Sequence, residues 1–528
     1  VNTKPYRLLI VVLLLGWAFD YLIWEQPVGI NFAIFAALCT LAGFLLLLSN
    51  GLRPARKSLP LLAPFAFFAV ISFIRQEPLT LVIAHVFTIV PMSLLAFTYL
   101  GGRWPQYGLL DYVDKTFQLV GSLVARPLIF FFQVRKEQVE RNEVKRMVPL
   151  KPVVRGLAIA LPVVILFTSL LSSADMVFSR KLTVFYYQHL FSIDVSENLL
   201  RLIIILISAY GLAGAFLHTA TASKDEKLIG EGQPVIKRSL GFTEAAIVLG
   251  SVAILFLAFV IIQAQYFFGG QMNIGEMSFT YSEYARRGFN ELVTVALLSL
   301  LLTLGFSTVC NRETEFQRRT YSGLSVAILV MVLVILLSAY ERLGMAMDWH
   351  GFSRLRLYPR LFMIWLGLLF VAVVVLEIIR RERYFAFAAV VAALGFAVTL
   401  SLLNVDAFIA RHNVWRAAQG FHFNVNYLSS LSTDAVPALV DEYHNTKLPI
   451  TVREGVGAAL QCYMRADAIA RESARGWQSQ NLSQQQSSRA LDEVRSDLQG
   501  YSVNVEAPIV RVGTPNNEWY ECATGPLN

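Results

Sequence analysis

Apolar residues run in blocks of about 20 along the first three quarters of the chain, separated by short polar connections. Blocks of that length match a hydrocarbon layer of about 30 Å at 1.5 Å rise per residue, so each is expected to form a membrane-crossing helix. They fall near 8–24, 28–49, 59–74, 79–100, 155–173, 198–219, 244–267, 289–310, 321–340, 360–379 and 384–403. The first has no small-residue cleavage site and leads straight into the second, so it reads as a retained span rather than a signal peptide.

Between the fourth and fifth blocks the pattern changes. Leu109, Val113, Phe117, Val120 and Val124 recur at helical spacing, with Asp111, Asp114, Lys115 and Gln118 off that stripe. Phe130–Phe132 and a charged run from Arg135 to Arg146 follow. This segment is expected to be an amphipathic helix in the inner interface, its basic residues facing anionic headgroups. Covering the cytoplasmic face of the bundle is its plainer role, regulation the alternative.

After Leu403 the long apolar runs stop. Short helices are expected near 405–418, 433–444, 452–473 and 483–499, and two strands at 501–511 and 517–522. Thr433 and Asp434 suit a helix start, and Pro437 suits only a first turn. The fold class is therefore an all-α polytopic membrane bundle of about eleven transmembrane helices with a small, mostly helical extracytoplasmic C-terminal domain. Its expected organisation is an N-terminal four-helix membrane region (1–100), a cytoplasmic amphipathic and basic loop (101–154), a seven-helix membrane core (155–403) and the C-terminal domain (404–528).

Composition agrees. The chain is 55% hydrophobic and only 16% charged, with a mean hydropathy of +0.54, where soluble domains carry about a quarter charged residues. Its net charge of +8 would suit nucleic acid, but the basic residues are placed by membrane topology. Alternate connections hold Lys4 and Arg7; Arg53, Arg56 and Lys57; ten basics from Arg103 to Arg155; Lys224, Lys227, Lys237 and Arg238; Arg312, Arg318 and Arg319; and Arg380, Arg381 and Arg383. The opposite connections hold about nine. Because Lys and Arg are retained inside, the N-terminus is expected in the cytoplasm and the C-terminus outside. Membrane lipids are the expected partners, and nucleic acid is not.

Catalytic motifs are missing. The sequence has no Walker-type phosphate loop, His-Glu-x-x-His, Cys-x-x-Cys or Gly-x-Ser-x-Gly, and the histidines at 85, 189, 218, 350, 412, 422 and 444 lack metal-ligand spacing. No metal or cofactor is therefore expected. Cys462 and Cys522, both in the C-terminal segment, are a disulfide candidate if that segment faces an oxidising compartment. The spans are clean at mid-depth: Asp20, Arg201, Glu244, Glu291 and Glu377 all fall near span ends. That weakens a transporter reading, since ion-coupled transporters place polar groups near the midplane.

Charge gathers instead on the outer rim. Glu283, Arg287 and Glu291 would stack at i, i+4, i+8 on one helix, with Arg286 beside them. The loop after the ninth block holds Glu341, Arg342, Asp348, His350, Arg354 and Arg356. Arginines at a lipid boundary need carboxylate partners, such as Asp175, Glu283, Glu291, Glu341 and Asp348, or an anion such as a lipid phosphate. Arg286, Arg287, Arg354 and Arg356, with Glu283, Glu291, Asp348, His350 and Asp175, form the candidate anion or substrate site.

Six stretches also carry a resemblance: Ser172–Phe178, Gln263–Gly270, Tyr281–Leu292, Phe352–Tyr358, Asn404–Asn413 and Tyr427–Leu439. Together, and in this order, they resemble the bacterial polytopic membrane family catalogued as domain of unknown function 4173, related to the 4153 group. The likeness covers about residues 150–440. Asn424 and Asn426 stand where the family leads one to expect an aspartate ahead of Tyr427-Leu428. The resemblance implies a bacterial inner-membrane location and supplies no reaction. Three functions stay open: binding or processing a phosphate-bearing lipid or envelope precursor at the outer boundary, a transporter or channel, and a scaffold or sensor. The first is favoured, and whether it is enzymatic is open.

Overall fold

A computed structural model describes residues 5–140, 175–185, 197–224, 228–229, 240–268, 289–472, 476–506 and 509–523, with six positions between 160 and 172. Ten helices among them are long and apolar enough to cross a membrane. In chain order the helices are α1 (Pro5–Leu22), α2 (Ile30–Ser49), α3 (Leu62–Ile74), α4 (Pro78–Thr98), α5 (Leu109–Glu140), α6 (Met176–Phe185), α7 (Glu197–Ala222), α8 (Phe242–Phe268), α9 (Phe289–Val309), α10 (Glu315–His350), α11 (Arg354–Ile378) and α12 (Phe385–Leu403). The expected span at 59–74 is a shorter apolar helix, and the one at 155–173 lies almost wholly outside the described residues, as does the charged run 141–154.

The amphipathic segment is one continuous 32-residue helix, α5, and its Leu109–Lys136 part also qualifies as a span by length and composition. Its apolar stripe at Leu109, Val113, Phe117, Val120 and Val124 is exposed. Polar contacts tie the helix to α7: Ser122 hydrogen-bonds His218 at 2.8 Å, and the Val124 backbone oxygen accepts from the Tyr210 hydroxyl at 2.5 Å. A Cβ on Gly214 would lie 2.5 Å from the Leu123 backbone, so only glycine permits this approach. These contacts fall in the half of α7 that ends at Ala222.

The chain divides into two compact units. The first comprises residues 1–63, 90–103 and 112–226. Leu8, Val12 and Leu15 of α1 pack there on Ala209, Ala213 and Phe216 of α7. A Cβ on Gly16 would sit 2.4 Å from Ile205 O, which fixes how closely the two helices run. At one end of this unit Ala55 N donates to Tyr99 O at 2.6 Å and Gly101 N to Ser223 O at 3.0 Å. Arg201, by contrast, ion-pairs with Asp20 and Glu25, both at 3.7 Å, where α1 ends and α7 begins.

The second unit comprises residues 64–89, 104–111 and 227–528. Leu249, Ala296, Ile328, Val332 and Phe370 from α8–α11 form a buried core. One end is tied by pairing of Leu240 with Cys310, by Arg380 with Glu315, and by Arg383 Nε donating to Gln106 O at 3.1 Å. A helix of 36 residues, α10 measures about 54 Å, well beyond the hydrocarbon thickness. Thr314 and Gln317 start it with a reciprocal capping box.

At the other end of this unit lie α13 (Val405–Ala418), α14 (Val425–Ser429), α15 (Val436–Tyr443), α16 (Ile450–Glu472) and α17 (Leu482–Val494). Their core is continuous with the helices below: Met347, Leu357 and Leu400 pack with Ile409, Leu428, Leu439 and Leu460. Asn404 makes the corner between α12 and α13. It adopts φ +47°, a conformation asparagine tolerates, and its side chain accepts from Ala407 N. The expected strand 501–511 is instead two: β1 (Ser502–Glu506) pairs antiparallel with β2 (Ile509–Gly513), Glu506 opposite Ile509, and β3 (Trp519–Glu521) joins β2. In sequence Ala507-Pro508 separates the two strands, and proline has no N–H for a ladder. A disulfide joins Cys462 of α16 to Cys522 beyond β3, with Cα atoms 5.6 Å apart.

Candidate functional site

Three chain segments meet where α3 and α12 end and α11 begins: the α3–α4 turn, the start of α11, and the segment from Asn404 to Asp434. Glu77, 2% exposed, starts α4 by accepting from Leu79 N at 3.0 Å and Thr80 N at 2.7 Å. It also receives the Tyr358 hydroxyl. Arg354 forks onto Asp406, its Nε 2.8 Å from Oδ1 and a terminal nitrogen on Oδ2. Asp406 is fully buried and accepts Ser432 N at 2.7 Å as well. Arg354 N donates to the Tyr427 hydroxyl at 2.9 Å.

Asp434 does for the α3–α4 turn what Asp406 does for Arg354. Its Oδ2 accepts Gln76 N and Glu77 N, both at 2.8 Å, and Arg75 lies 4.0 Å from Oδ1. Burial raises the Asp434 carboxyl above the ordinary carboxylate range, although the hydrogen bonds and Arg75 oppose that rise. The helix start expected of Thr433 and Asp434 falls instead to Ser432, whose hydroxyl accepts from Asp434 N. Arg75 Nε in turn donates to Ser401 O at 3.1 Å, tying the end of α3 to the end of α12.

Beside this network opens a cleft of about 340 Å³, lined among others by Arg75, Asn404, Arg411, His412, Asp434 and Ser483. Leu403 and Asn404, where α12 ends, lie in its wall. Arg411 is exposed and reaches Asp441 at 3.1 Å. The His412 ring packs on Phe408, with centroids 3.9 Å apart, and its Nδ1 lies 2.9 Å from Phe408 O. A carbonyl only accepts, so Nδ1 carries a proton. Two guanidinium groups and an imidazole thus border one cleft at the level where two apolar helices end.

The residues expected from sequence are distributed differently. Arg354 is paired with Asp406, which was not among the proposed partners. Arg356 donates to Gly351 O at 2.8 Å and His350 O at 3.3 Å, closing the carbonyl end of α10. Arg416 does the same at Asp348 O, 2.6 Å away. The Asp348 and His350 side chains are exposed, as is Glu291 in the first turn of α9. Asp175 caps α6 by accepting from Val177 N at 2.7 Å and Phe178 N at 3.0 Å. Glu283, Arg286 and Arg287 lie outside the described residues. Asn424 caps α14 by accepting from Tyr427 N, and Asn426 donates to Glu521 O, so each amide serves the local fold.

Sequence reasoning passed over Arg75, Glu77, Arg411 and Asp434 as a group because they lie up to 360 residues apart. A signal was present: Arg354, Tyr358, Asp406, Tyr427 and Asp434 all belong to stretches that carry the family resemblance, and the fold gathers them. Among the described residues no cluster of histidine, cysteine or carboxylate side chains could hold a metal ion.

The architecture defines an all-helical polytopic membrane protein with a polar cleft at the ends of its spans. The chain belongs to the family described as Domain of unknown function (DUF4153), whose model matches residues 62–442. The match covers the whole network, from the α3–α4 turn to Asp434. No curated protein and no solved structure matches the chain.

Proposed function

We propose that this protein binds the phosphate of an anionic lipid or lipid-linked envelope precursor at the outer face of a bacterial inner membrane. The observation that carries the reading is the cleft bordered by Arg75, Arg411 and His412 where α3 and α12 end. Guanidinium groups recognise phosphate oxygens through fixed, charge-assisted donors, and headgroup phosphates sit at that depth. The site moves from the outer-loop arginines expected in the sequence to Arg75 and Arg411, because these line the cleft whereas Arg354 and Arg356 are turned to Asp406 and to the Gly351 carbonyl. A relation to the 4173 group remains part of this proposal and agrees with the bacterial location.

Several observations support the outward orientation of the cleft. The disulfide suits an oxidising compartment. Within each unit the basic connections meet one another: 55 with 99 and 101 with 223 in one, 106 with 383 and 315 with 380 in the other. The Asn404–Asp434 network forms at the opposite end of its unit. Contacts of α5 confined to one half of α7 support an interfacial helix rather than a further crossing. A scaffolding role has its own support, because the family motifs are spent on internal ion pairs.

The test uses the full chain in phosphatidylcholine nanodiscs doped with phosphatidylglycerol, read by native mass spectrometry. Phosphatidylglycerol should be retained, and Arg411→Ala should weaken retention roughly 10-fold, about 1.4 kcal/mol, with little change in melting temperature. Unaltered retention in that variant would sink the reading in favour of the scaffold.

A further inference from the structure

The cleft shares a wall with a second, larger cavity of about 560 Å³ between α16 and α17. Thr433 lines both. The wall is built where the Thr433 and Ser483 hydroxyls meet at 2.8 Å, and it is held to the α3–α4 turn by Asn481 Nδ2 donating to Arg75 O at 3.2 Å.

The two spaces differ in chemistry. The second is lined by Gln480, Asn481, Gln484, Gln485, Ser487 and Ser488. Among its charged groups Arg471 holds Asp467 at 2.7 Å and Asp492 at 3.0 Å, with Arg495 on Asp492 at 2.8 Å, and the exposed Arg489 also lines the space. What remains facing the space is mainly amides and hydroxyls, each able to donate and accept. A sugar hydroxyl has the same double character. An acyl chain would match none of these polar groups. The volume falls within the range of small-molecule sites.

We infer that the second cavity holds the neutral glycan of a lipid-linked saccharide whose phosphate occupies the first cleft. This rests on the phosphate reading and names its substrate class: lipid at the span ends, phosphate at Arg75 and Arg411, sugar between α16 and α17. The Thr433–Ser483 wall marks the passage from the charged part of the ligand to the uncharged part.

The full chain in phosphatidylcholine nanodiscs should be titrated with three probes: a polyisoprenyl diphosphate bearing an N-acetylglucosamine disaccharide, the same carrier without sugar, and the free N-acetylglucosamine oligomer. The glycosylated carrier should bind at least roughly 10-fold more tightly than the bare one. Gln484→Leu with Gln485→Leu should bring it down to the affinity of the bare carrier while leaving bare-carrier binding and melting temperature unchanged. Arg411→Ala should weaken both lipids. Equal affinity for the two lipids in the unaltered protein would overturn the sugar cavity and leave the phosphate cleft standing. Binding of the free oligomer with neither lipid held would overturn the phosphate cleft, and the joined ligand with it.

Discussion

At the scale of single residues, two buried aspartates organise the site, and their partners differ in kind. Asp406 neutralises a guanidinium and accepts one backbone N–H, whereas Asp434 chiefly accepts two backbone N–H groups. Removing one member of a buried ion pair leaves the other charged and desolvated, which costs about 3–5 kcal/mol. Asp406→Ala should therefore lower unfolding free energy in detergent by about that amount, measured by denaturant titration. Asp406→Asn should cost less, because the amide oxygen still accepts from Ser432 N. Equal stability of Asp406→Ala and the parent would show that Arg354 finds water or another acceptor. Only Arg411 combines a place in the cleft with an exposed side chain and an exposed partner, which makes it the residue that separates binding from folding.

At the scale of elements, glycines decide how closely helices meet. Gly214 lets the α5 backbone reach α7, and a Cβ there would lie 2.5 Å from the Leu123 carbonyl oxygen. Gly214→Val should separate the two helices, breaking the Ser122–His218 and Tyr210–Val124 hydrogen bonds. Overpacking of this kind costs about 1–3 kcal/mol, visible as a lower melting temperature; an unchanged one would mean that α5 docks without this contact. The periodicity of α5 was plain in sequence, since its stripe repeats at helical spacing. Which partner it meets was not, because a stripe names the lipid-facing side and leaves the polar partner open. The strand expected over 501–511 illustrates a second limit: alternating residues fit one long strand or two short ones, and the pairing of Glu506 with Ile509 decides for two.

At the scale of the whole molecule, the count of crossings fixes which side the C-terminal domain occupies. In the proposed topology of eleven crossings, with α5 in the inner interface, it lies opposite the N-terminus. Single cysteines probed with a membrane-impermeant thiol reagent in spheroplasts should label Asp348→Cys and Trp519→Cys, and leave Arg56→Cys, Arg319→Cys and Arg381→Cys unlabelled until lysis. Labelling of Arg319→Cys in intact cells, or protection of Trp519→Cys, would mean that the number of crossings is wrong by an odd number, with α5 the first helix to reconsider. The disulfide belongs to the same question, because it suits the oxidising compartment that the proposed topology implies.

The sequence by itself determined the membrane-crossing helices, the helical C-terminal segment and the alternation of basic connections. Hydrophobic length and charge asymmetry are local properties, readable from a window of about 20 residues. It also carried the residues of the site, some of them in stretches of family resemblance, without showing that Arg75, Asp434 and Ser483 are neighbours. Only the tertiary structure decided which partner each arginine has and which of them border a cleft. A guanidinium on an outer loop looks the same in sequence whether it forks onto Asp406, closes the carbonyls of α10 or lines a cavity. The difference lies in partners that come from distant parts of the chain, and burial sets the cost of lacking them.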